Sequence, residues 1–221
     1  MRKQYQLAIF DLDGTVLDTL DDLADSVNAV LVKNGYPTHT REAICGFVGN
    51  GIRLLIARAL PRDASEQTVE RVLADFKVYY AAHCAEKTAP YPGIPTLLAR
   101  LRAAGVRTAV LSNKADFATQ ALCGNYFAGL FDAVAGEREA EGIPKKPAPD
   151  AVYAMMRDLG LTAADTVYIG DSEVDVQTAR NAGVDAVLVS WGFRSAEMLH
   201  RAGATVVVDT PEALFAQIVK Q

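Results

Sequence analysis

The sequence lacks several features that mark whole classes of protein. It has no apolar run approaching the length of a membrane-spanning helix, which argues against a membrane protein. Arg2-Lys3 is followed by only a short apolar stretch, so no signal peptide is predicted. The few cysteines are scattered and odd in number, which favours free or buried thiols in a reducing compartment over a disulfide framework or a metal site. These absences predict a cytoplasmic protein; the cysteines are Cys45, Cys84 and Cys123.

The chain also lacks an excess of basic residues, and it has few histidines. The formal net charge is −5 and the basic residues form no long run, so a nucleic-acid partner is not expected. His39, His83 and His200 are dispersed, with no spacing typical of a zinc site or a catalytic triad. The remaining composition, in which 50% of the residues are apolar, is that of an ordinary protein able to bury a core.

The periodicity of apolar residues predicts an α/β fold with a helical insertion. A first strand, Leu7–Phe10, is followed by residues 18–84 with helical spacing only, and from Pro90 onward helices and strands alternate. This alternation favours a Rossmann-like parallel sheet covered on both faces. The predicted domains are a core of residues 1–16 and 88–221 and an inserted helical domain of residues 17–87. The later strands are predicted at Val106–Leu111, Phe131–Ala135, Thr166–Ile169, Ala186–Val189 and Thr205–Val208.

Two carboxylates, Asp11 and Asp13, directly follow the first predicted strand. The carboxyl ends of parallel strands are where α/β proteins bind ligands, and hard oxygen ligands suit Mg²⁺. The alternative is a purely structural role, in which both residues serve as turn or helix-cap residues, although a single cap would explain only one of them. An EF-hand calcium loop fits poorly, because Gly14 stands before the position at which that loop has its glycine. Apolar Val16 and Leu17 also occupy positions that follow it.

Polar residues follow three further predicted strands and should meet the first pair at one edge of the sheet. Each group alone is weak evidence, because serines and aspartates often cap helices and loop lysines are usually solvated. Together they supply carboxylates for a metal, a hydroxyl and amides for anionic oxygens, and a fixed cation, which is a complete set for phosphoryl transfer. The groups are Ser112-Asn113, Lys145-Lys146 and the run Gly170–Asp175.

Four motifs in this order, DLDGT, LSN, KP and GDSEVD, resemble those of the haloacid dehalogenase (HAD) superfamily. The helical insertion resembles the small helical cap of that superfamily. Three further stretches resemble bacterial phosphoglycolate phosphatases: VGNGIRLLIARAL in the insertion, KKPAPD, and the tail VSWGFRSAEMLHRAGATVVVDTPEAL.

The resemblance implies roles for the first motif. Asp11 would attack phosphorus and form an aspartyl-phosphate, and Asp13 would act as general acid and base. The metal would be held by Asp11, the main-chain carbonyl of Asp13, and Asp171. Gly14 and Thr15 would contribute to phosphate binding.

The later motifs supply the supporting groups. Ser112 would donate to a phosphate oxygen with Asn113 beside it, and Lys146 would neutralise charge on the phosphate and on Asp11. Asp175 and Ser172 would orient the metal ligands from outside. The KPxP spacing favours Lys146 over its neighbour Lys145, which stays open.

Recognition of the rest of the substrate is predicted in the insertion. Gly49 and Asn50 precede a helix and could present main-chain N–H groups to an anion, and Arg53 could bind a carboxylate. The alternative is a plain turn between helices with a surface arginine. Trp191, after a late strand, is interpreted as a core or interface residue.

The sequence therefore predicts a Mg²⁺-dependent phosphatase that acts on a small phosphorylated metabolite, with 2-phosphoglycolate as the first candidate. A sugar phosphomutase or a pyrophosphatase built on the same site is the nearest alternative. An alternative of another class is a phospho-receiver signalling module. The expected assembly is a monomer or a homodimer, with no nucleic-acid or membrane partner.

Overall fold

The chain forms two compact units. The computed structural model describes residues 5–49 and 51–219. Met1–Leu17 together with Pro90–Gln221 form one unit, called here the core unit, and Asp18–Ala89 form the second, called the helical unit. The predicted boundaries, after residues 16 and 87, lie one and two residues from the observed ones.

Strands and helices alternate along the core unit, whereas the helical unit consists almost wholly of helices. The strands are β1 Leu7–Phe10, β2 Leu17–Asp18, β3 Ala89–Pro90, β4 Arg107–Ala115, β5 Ala133–Glu137, β6 Thr166–Gly170, β7 Asp185–Val189 and β8 Val207–Val208. The helices are α1 Leu20–Lys33, α2 Arg41–Phe47, α3 Ile52–Ala59, α4 Glu66–His83, α5 Ile94–Ala103, α6 Asp116–Tyr126, α7 Asp150–Asp158, α8 Glu173–Ala182, α9 Ala196–Arg201 and α10 Pro211–Ile218.

A parallel sheet with strand order β5-β4-β1-β6-β7-β8 forms the centre of the core unit. β1 lies between β4 and β6, with Ile9 paired to Ala109 on one side and to Tyr168 on the other. Every residue of β1 is fully buried. An uninterrupted apolar strand is typical of a parallel sheet covered on both faces, where neither face can take polar side chains.

Side chains of β1 alternate between two hydrophobic clusters, one on each face of the sheet. Ala8 and Phe10 pack in a cluster that includes residues of α5, α6 and α10. Leu7 and Ile9 pack in a cluster that includes residues of α7 and α8. The predicted fold class, an α/β protein with a Rossmann-like parallel sheet, is confirmed.

Several strand bounds differ from the prediction. β4 continues to Ala115, beyond the predicted end at Leu111, and its pairing with β5 shifts register between these two residues. The strand predicted from Phe131 begins at Ala133, because Phe131 instead packs against the core and contacts the Phe127 ring at 5.4 Å between centroids. The last strand is shorter than predicted, because only residues 207 and 208 pair with β7.

The helical unit has a hydrophobic core of its own, built from one face of each of its helices. Val27, Ile44, Ile56 and Phe76, from α1, α2, α3 and α4 respectively, are fully buried in it. The short strands β2 and β3, not predicted from the sequence, form a two-stranded sheet where the unit begins and ends. Among the described helices of the whole chain, none combines the length and apolar character required to span a membrane.

A buried carboxylate fastens the end of the helical unit to its first helix. Asp22 on α1 is 2% exposed. It accepts hydrogen bonds from the N–H of Lys87 at 2.9 Å, and from the N–H and hydroxyl of Thr88 at 2.8 and 2.7 Å. A buried carboxylate requires such donors to offset the loss of hydration. Asp22 therefore fixes the chain just before it enters β3.

Candidate active site

The structure brings together residues from the four predicted groups at the carboxyl edge of the core sheet. The Lys146 ammonium lies 2.8 Å from Asp11 Oδ1 and 2.8 Å from Asp175 Oδ1, and its side chain is 3% exposed. Lys145 points elsewhere and pairs with Glu139 at 3.0 Å. Lys146 is thus the lysine that contacts the proposed nucleophile.

Three buried carboxylates form a cluster around this lysine. Asp11, Asp171 and Asp175 each offer an oxygen within 4.8 Å of the others. Three carboxylates and the one ammonium of Lys146 leave two negative charges unbalanced when all are ionised, in a place where water cannot screen them. A divalent cation with a preference for oxygen ligands, such as Mg²⁺, fits both the charge and the donor set.

The carboxylate of Asp11 is held in one orientation. Its Oδ1 accepts a hydrogen bond from the N–H of Leu12 at 2.7 Å as well as the contact from Lys146. Burial raises the pKa of Asp11 to about 7, with help from the charges of Asp175 and Asp13 and against the opposing charge of Lys146. For Lys146, burial alone would lower the pKa, but Asp11 and Asp175 outweigh it and hold that pKa well above the usual value.

Asp171 is held at both oxygens. Its Oδ1 accepts a hydrogen bond from the hydroxyl of Thr15 at 3.1 Å, and its Oδ2 accepts one from the N–H of Phe193 at 2.7 Å. Burial, followed by the charges of Asp175 and Asp11, raises its pKa well above the ordinary value despite these two donors. An added cation would favour the ionised form, as expected of a metal ligand.

Gly14 lets the first loop approach Asp171 closely. Its φ is +82°, and a Cβ at this position would lie 2.3 Å from Asp171 Oδ2. A larger residue would therefore be both strained and in collision with the proposed ligand. The N–H of Gly14 donates to Leu17 and that of Thr15 to Leu12, so both are engaged within the loop. The predicted phosphate contacts of Gly14 and Thr15 stay predictions.

Asp175 organises the cluster from behind. It is fully buried. Its Oδ2 accepts hydrogen bonds from the Ser172 hydroxyl at 2.6 Å and N–H at 3.1 Å, and its Oδ1 contacts Lys146. The same contacts form a capping box at the start of α8, so the helix end and the site share one carboxylate. The predicted role of Asp175 and Ser172 in orienting the metal ligands stays a prediction.

A lysine that the sequence analysis missed holds Asp13. Lys114 Nζ lies 2.9 Å from Asp13 Oδ1 and 3.1 Å from Oδ2, with the lysine side chain 6% exposed. Its N–H also donates to the Ser112 hydroxyl oxygen at 3.1 Å. Because β4 continues past Ser112, residues 112 and 114 point to the same face of the strand. The alternation within LSNK could have identified it, had the strand been extended by three residues.

Asn113 makes contacts other than the predicted one to phosphate. Its side-chain amide donates to the Lys146 carbonyl at 3.0 Å, and its oxygen accepts from the Lys146 N–H at 2.9 Å. These two hydrogen bonds join β4 to the loop that carries Lys146, and they fix the position of the Lys146 main chain. A contact between Asn113 and phosphate remains a prediction.

In the helical unit, the structure gives the predicted substrate-binding arginine partners of its own. The Arg53 guanidinium forms ion pairs with Glu66 and with Glu70, the latter at 2.7 Å. A substrate carboxylate would compete with these two glutamates for the guanidinium, and contact with it remains a prediction. Gly49 has a positive φ of 127°, and its carbonyl accepts a hydrogen bond from Arg58 at 3.2 Å. Asn50 lies outside the described residues.

The model of one family, the haloacid dehalogenase-like hydrolases, matches residues 8–189. The chain belongs to this family. The match spans the four loops described above together with the helical unit, and the predicted membership is confirmed.

Relatives of known name and structure extend this assignment. A phosphoglycolate phosphatase of Pseudomonas putida is 34% identical over 220 residues, which cover 95% of this chain and 78% of that protein. A crystal structure from Lactobacillus delbrueckii subsp. bulgaricus, described as a candidate phosphoglycolate phosphatase, is 42% identical with a TM-score of 0.95 and covers both chains fully. A mutant of CbbY from Rhodobacter sphaeroides in complex with xylulose-1,5-bisphosphate is 25% identical, with a TM-score of 0.77 and coverage of 98% and 100%.

The expected enzyme class follows from the family and from these relatives. The chain is an enzyme of the hydrolase type, and the prediction of a phosphoric monoester hydrolase is confirmed at that level. The family also favours the hydrolase over the phospho-receiver alternative.

Proposed function

We propose that this chain is a Mg²⁺-dependent phosphatase that hydrolyses a small phosphate monoester, with 2-phosphoglycolate as the first candidate. The observation that carries the proposal is the buried Asp11 carboxylate, which lies in an acidic cluster and 2.8 Å from the Lys146 ammonium. Such a carboxylate is fixed, shielded from water and flanked by positive charge, as a nucleophile towards an anionic substrate must be.

In the first step, a carboxylate oxygen of Asp11 forms a bond to phosphorus and the bond from phosphorus to the ester oxygen breaks. Asp13 donates a proton to the departing oxygen, so that an alcohol leaves. Lys146 and the hydroxyl of Ser112 would stabilise the negative charge of the transferring phosphoryl group. Ser112 is a buried residue, 3% exposed.

In the second step, water attacks the phosphorus of the aspartyl-phosphate. Asp13, now ionised, accepts a proton from that water, and the Asp11 carboxylate leaves. The products are inorganic phosphate and the original carboxylate, and Asp13 regains the proton that it gave. Lys114, which contacts both oxygens of Asp13, keeps this group within reach of the site during the ionised stage.

Asp11, Asp171 and the main-chain carbonyl of Asp13 would hold Mg²⁺, with Asp175 and Ser172 supporting them. When bound, the cation screens the repulsion between the phosphate and Asp11 and polarises the phosphoryl oxygens. The unbalanced negative charge of the buried cluster supports this assignment.

The names of the relatives support 2-phosphoglycolate as substrate. The CbbY complex shows that a related protein of this fold binds a sugar bisphosphate, which keeps other small phosphate esters as competitors. A phosphomutase or a pyrophosphatase would use the same carboxylates. These enzymes differ from the proposed phosphatase in the molecule that accepts the phosphoryl group, or in the part of the substrate to which that group is attached.

A test of the chemistry measures phosphate release from p-nitrophenyl phosphate with Mg²⁺ and with EDTA. Activity should require Mg²⁺, and Asp11→Asn should lower kcat by roughly three orders of magnitude or more, because a neutral amide cannot form the acyl-phosphate. Asp158→Asn is a matched control, since Asp158 is an exposed carboxylate at the end of α7 and should leave kcat unchanged. Near-normal turnover by Asp11→Asn would overturn the nucleophile assignment.

A test of the substrate compares kcat/KM for 2-phosphoglycolate, several sugar phosphates and pyrophosphate. The proposal expects 2-phosphoglycolate to lead and free phosphate to appear in step with glycolate. A mutase would convert a sugar phosphate into an isomer with little release of phosphate and would need a bisphosphate activator. A cytoplasmic location and a monomeric or homodimeric state remain predictions, and light scattering would measure the second.

A further inference from the structure

The tryptophan of this chain lies against the first catalytic loop. Trp191 follows β7, and its indole N–H donates a hydrogen bond to the Thr15 carbonyl at 3.0 Å. The sequence predicts a core or interface residue, and Trp191 is indeed partly buried against the main hydrophobic cluster of the core unit. Its hydrogen bond also joins it to the loop that begins with Asp11, 176 positions away from Trp191 at Thr15.

Thr15, whose carbonyl accepts the hydrogen bond from Trp191, also contacts the proposed metal ligand Asp171. The Thr15 side chain is fully buried, and its hydroxyl donates to Asp171 Oδ1 at 3.1 Å. Two residues beyond Trp191, the N–H of Phe193 donates to Asp171 Oδ2 at 2.7 Å. The segment Trp191–Phe193 therefore reaches both oxygens of Asp171, directly at one and through Thr15 at the other.

Gly192, the residue between these two donors, lies too close to the first loop and to Asp171 for any side chain to fit. A Cβ on Gly192 would lie 2.2 Å from the Gly14 carbonyl oxygen and 2.5 Å from Asp171 Oδ2. The main chain of the segment thus packs directly on both the first loop and the ligand. Donors that fix the orientation of a metal-binding carboxylate set how well it binds, and their loss commonly costs 10- to 100-fold in affinity.

We propose that Trp191–Phe193 and Thr15 form a positioning device for Asp171, and that Trp191 reports through its emission whether the cation site is filled. This inference rests on the cation site of the proposed function. A divalent cation at Asp171 changes the charge next to the Thr15 hydroxyl and the Phe193 N–H. The indole is hydrogen-bonded to the same Thr15 and precedes Phe193 by two residues, so its electrostatic surroundings change with it.

The first experiment titrates the full-length enzyme with MgCl₂ and no substrate, and follows tryptophan emission. Because the sequence contains one tryptophan, the emission comes from Trp191. The expected result is a saturable change whose midpoint equals the Kd for Mg²⁺ from calorimetry. An emission that stays constant while calorimetry shows Mg²⁺ binding would overturn the reporter role.

The second experiment compares Thr15→Val, which keeps the shape and removes the hydroxyl, with Thr15→Ser, which keeps the hydroxyl. Thr15→Val should weaken Mg²⁺ binding about tenfold by calorimetry, and Thr15→Ser should remain within about twofold of the parent. Thr166→Val is the matched control: Thr166 is also fully buried, lies at the opposite end of β6 from Asp171, and donates to Thr162. It should leave the Mg²⁺ affinity unchanged.

A third variant tests the start of the relay. Trp191→Phe retains an aromatic ring and removes the indole donor, so it should also weaken Mg²⁺ binding, by a factor of roughly three to ten. For Thr15→Val and Trp191→Phe alike, raising Mg²⁺ should restore kcat to within about twofold, because the defect lies in ligand orientation.

The outcomes separate this inference from the proposed function. Equal Mg²⁺ affinity in Thr15→Val, Thr15→Ser and the parent would overturn the positioning role. An equal loss of Mg²⁺ affinity in the Thr15→Val and Thr15→Ser variants would overturn it as well. If Thr15→Val does not fold by circular dichroism, Trp191→Phe and Thr15→Ser still decide the point. Normal Mg²⁺ binding and emission without any phosphatase activity would refute the proposed function and leave the positioning role intact.

Discussion

Mg²⁺ binding to this protein should be strongly dependent on pH between 6 and 8. Burial, with the charges of Asp175 and Asp13, raises the pKa of Asp11 to about 7 when no cation is present. A carboxyl group binds a metal only after it has lost its proton, so protons and Mg²⁺ compete at this residue.

The magnitude follows from the distance between the pH and the pKa. At pH 6, one unit below the pKa of about 7, removal of the proton from Asp11 costs about 1.4 kcal/mol, which weakens Mg²⁺ binding about tenfold relative to pH 8. Asp171, whose pKa burial also raises, acts in the same direction. The apparent Kd should therefore rise about tenfold or more on going from pH 8 to pH 6.

Calorimetric titration with MgCl₂ at pH 6 and pH 8, at equal ionic strength, measures this ratio. Asp11→Asn replaces the titrating carboxyl group with an amide, so the ratio of the apparent Kd at pH 6 to that at pH 8 should be smaller in this variant. A ratio below about two in the parent would refute the reasoning, since it would mean that Asp11 is ionised throughout this range or does not bind the metal.

The same pKa fixes the sign of the pH dependence of stability. The folded-state pKa of about 7 lies above the value of about 3.9 for an exposed aspartate, so the protonated group favours the folded state. That contribution is complete below pH ~4 and is lost as the pH rises through about 7. In EDTA the Tm should be lower at pH 8 than at pH 6, and added Mg²⁺ should raise it more at pH 8.

Two further predictions concern buried ion pairs and hydrogen bonds. Lys114→Met removes the cation beside Asp13, so kcat for p-nitrophenyl phosphate should fall at least tenfold, while Lys114→Arg should retain more activity; equal kcat in Lys114→Met and the parent would contradict a role for this lysine. Asp22→Ala leaves the N–H groups of Lys87 and Thr88 without their acceptor, so the free energy of unfolding measured in urea should fall by about 2–4 kcal/mol, and a loss below about 0.5 kcal/mol would contradict the structure.

The sheet and the meeting of the proposed catalytic loops could be predicted because both follow from simple periodicity. A fully apolar strand such as β1 must lie inside a parallel sheet, and parallel strands bring their carboxyl ends to one edge. The positions of Asp11, Lys146 and Asp171 follow from that rule.

Contacts that depend on where a strand ends could not be predicted. The strand is predicted to end at Leu111, yet β4 continues through the polar residues that follow, and this continuation places Lys114 on the same face as Ser112. Whether a strand goes on past its apolar part depends on partners elsewhere in the fold, here β5 and Asp13. Local sequence carries no information on these partners.

The direction of long surface side chains could not be predicted from the sequence either. Arg53 precedes Glu66 and Glu70 by more than a helix length, and only the packing of α3 against α4 brings them together. Spacing placed Arg53 on a helix, as observed, but the choice between a substrate and an ion pair depends on the neighbouring helix.

The Asp22 hydrogen bonds and the pairing of β2 with β3 make the helical unit an exchangeable cassette. Its two ends lie side by side, in neighbouring strands about 4.8 Å apart, and Asp22 fastens the outgoing end from within. A segment whose ends meet can be exchanged without stretching the protein that carries it. Residues 18–89 could thus be replaced by the corresponding segment of a relative, joined at Leu17 and Pro90. Such chimaeras would separate the source of substrate preference from the carboxylates proposed to perform the chemistry.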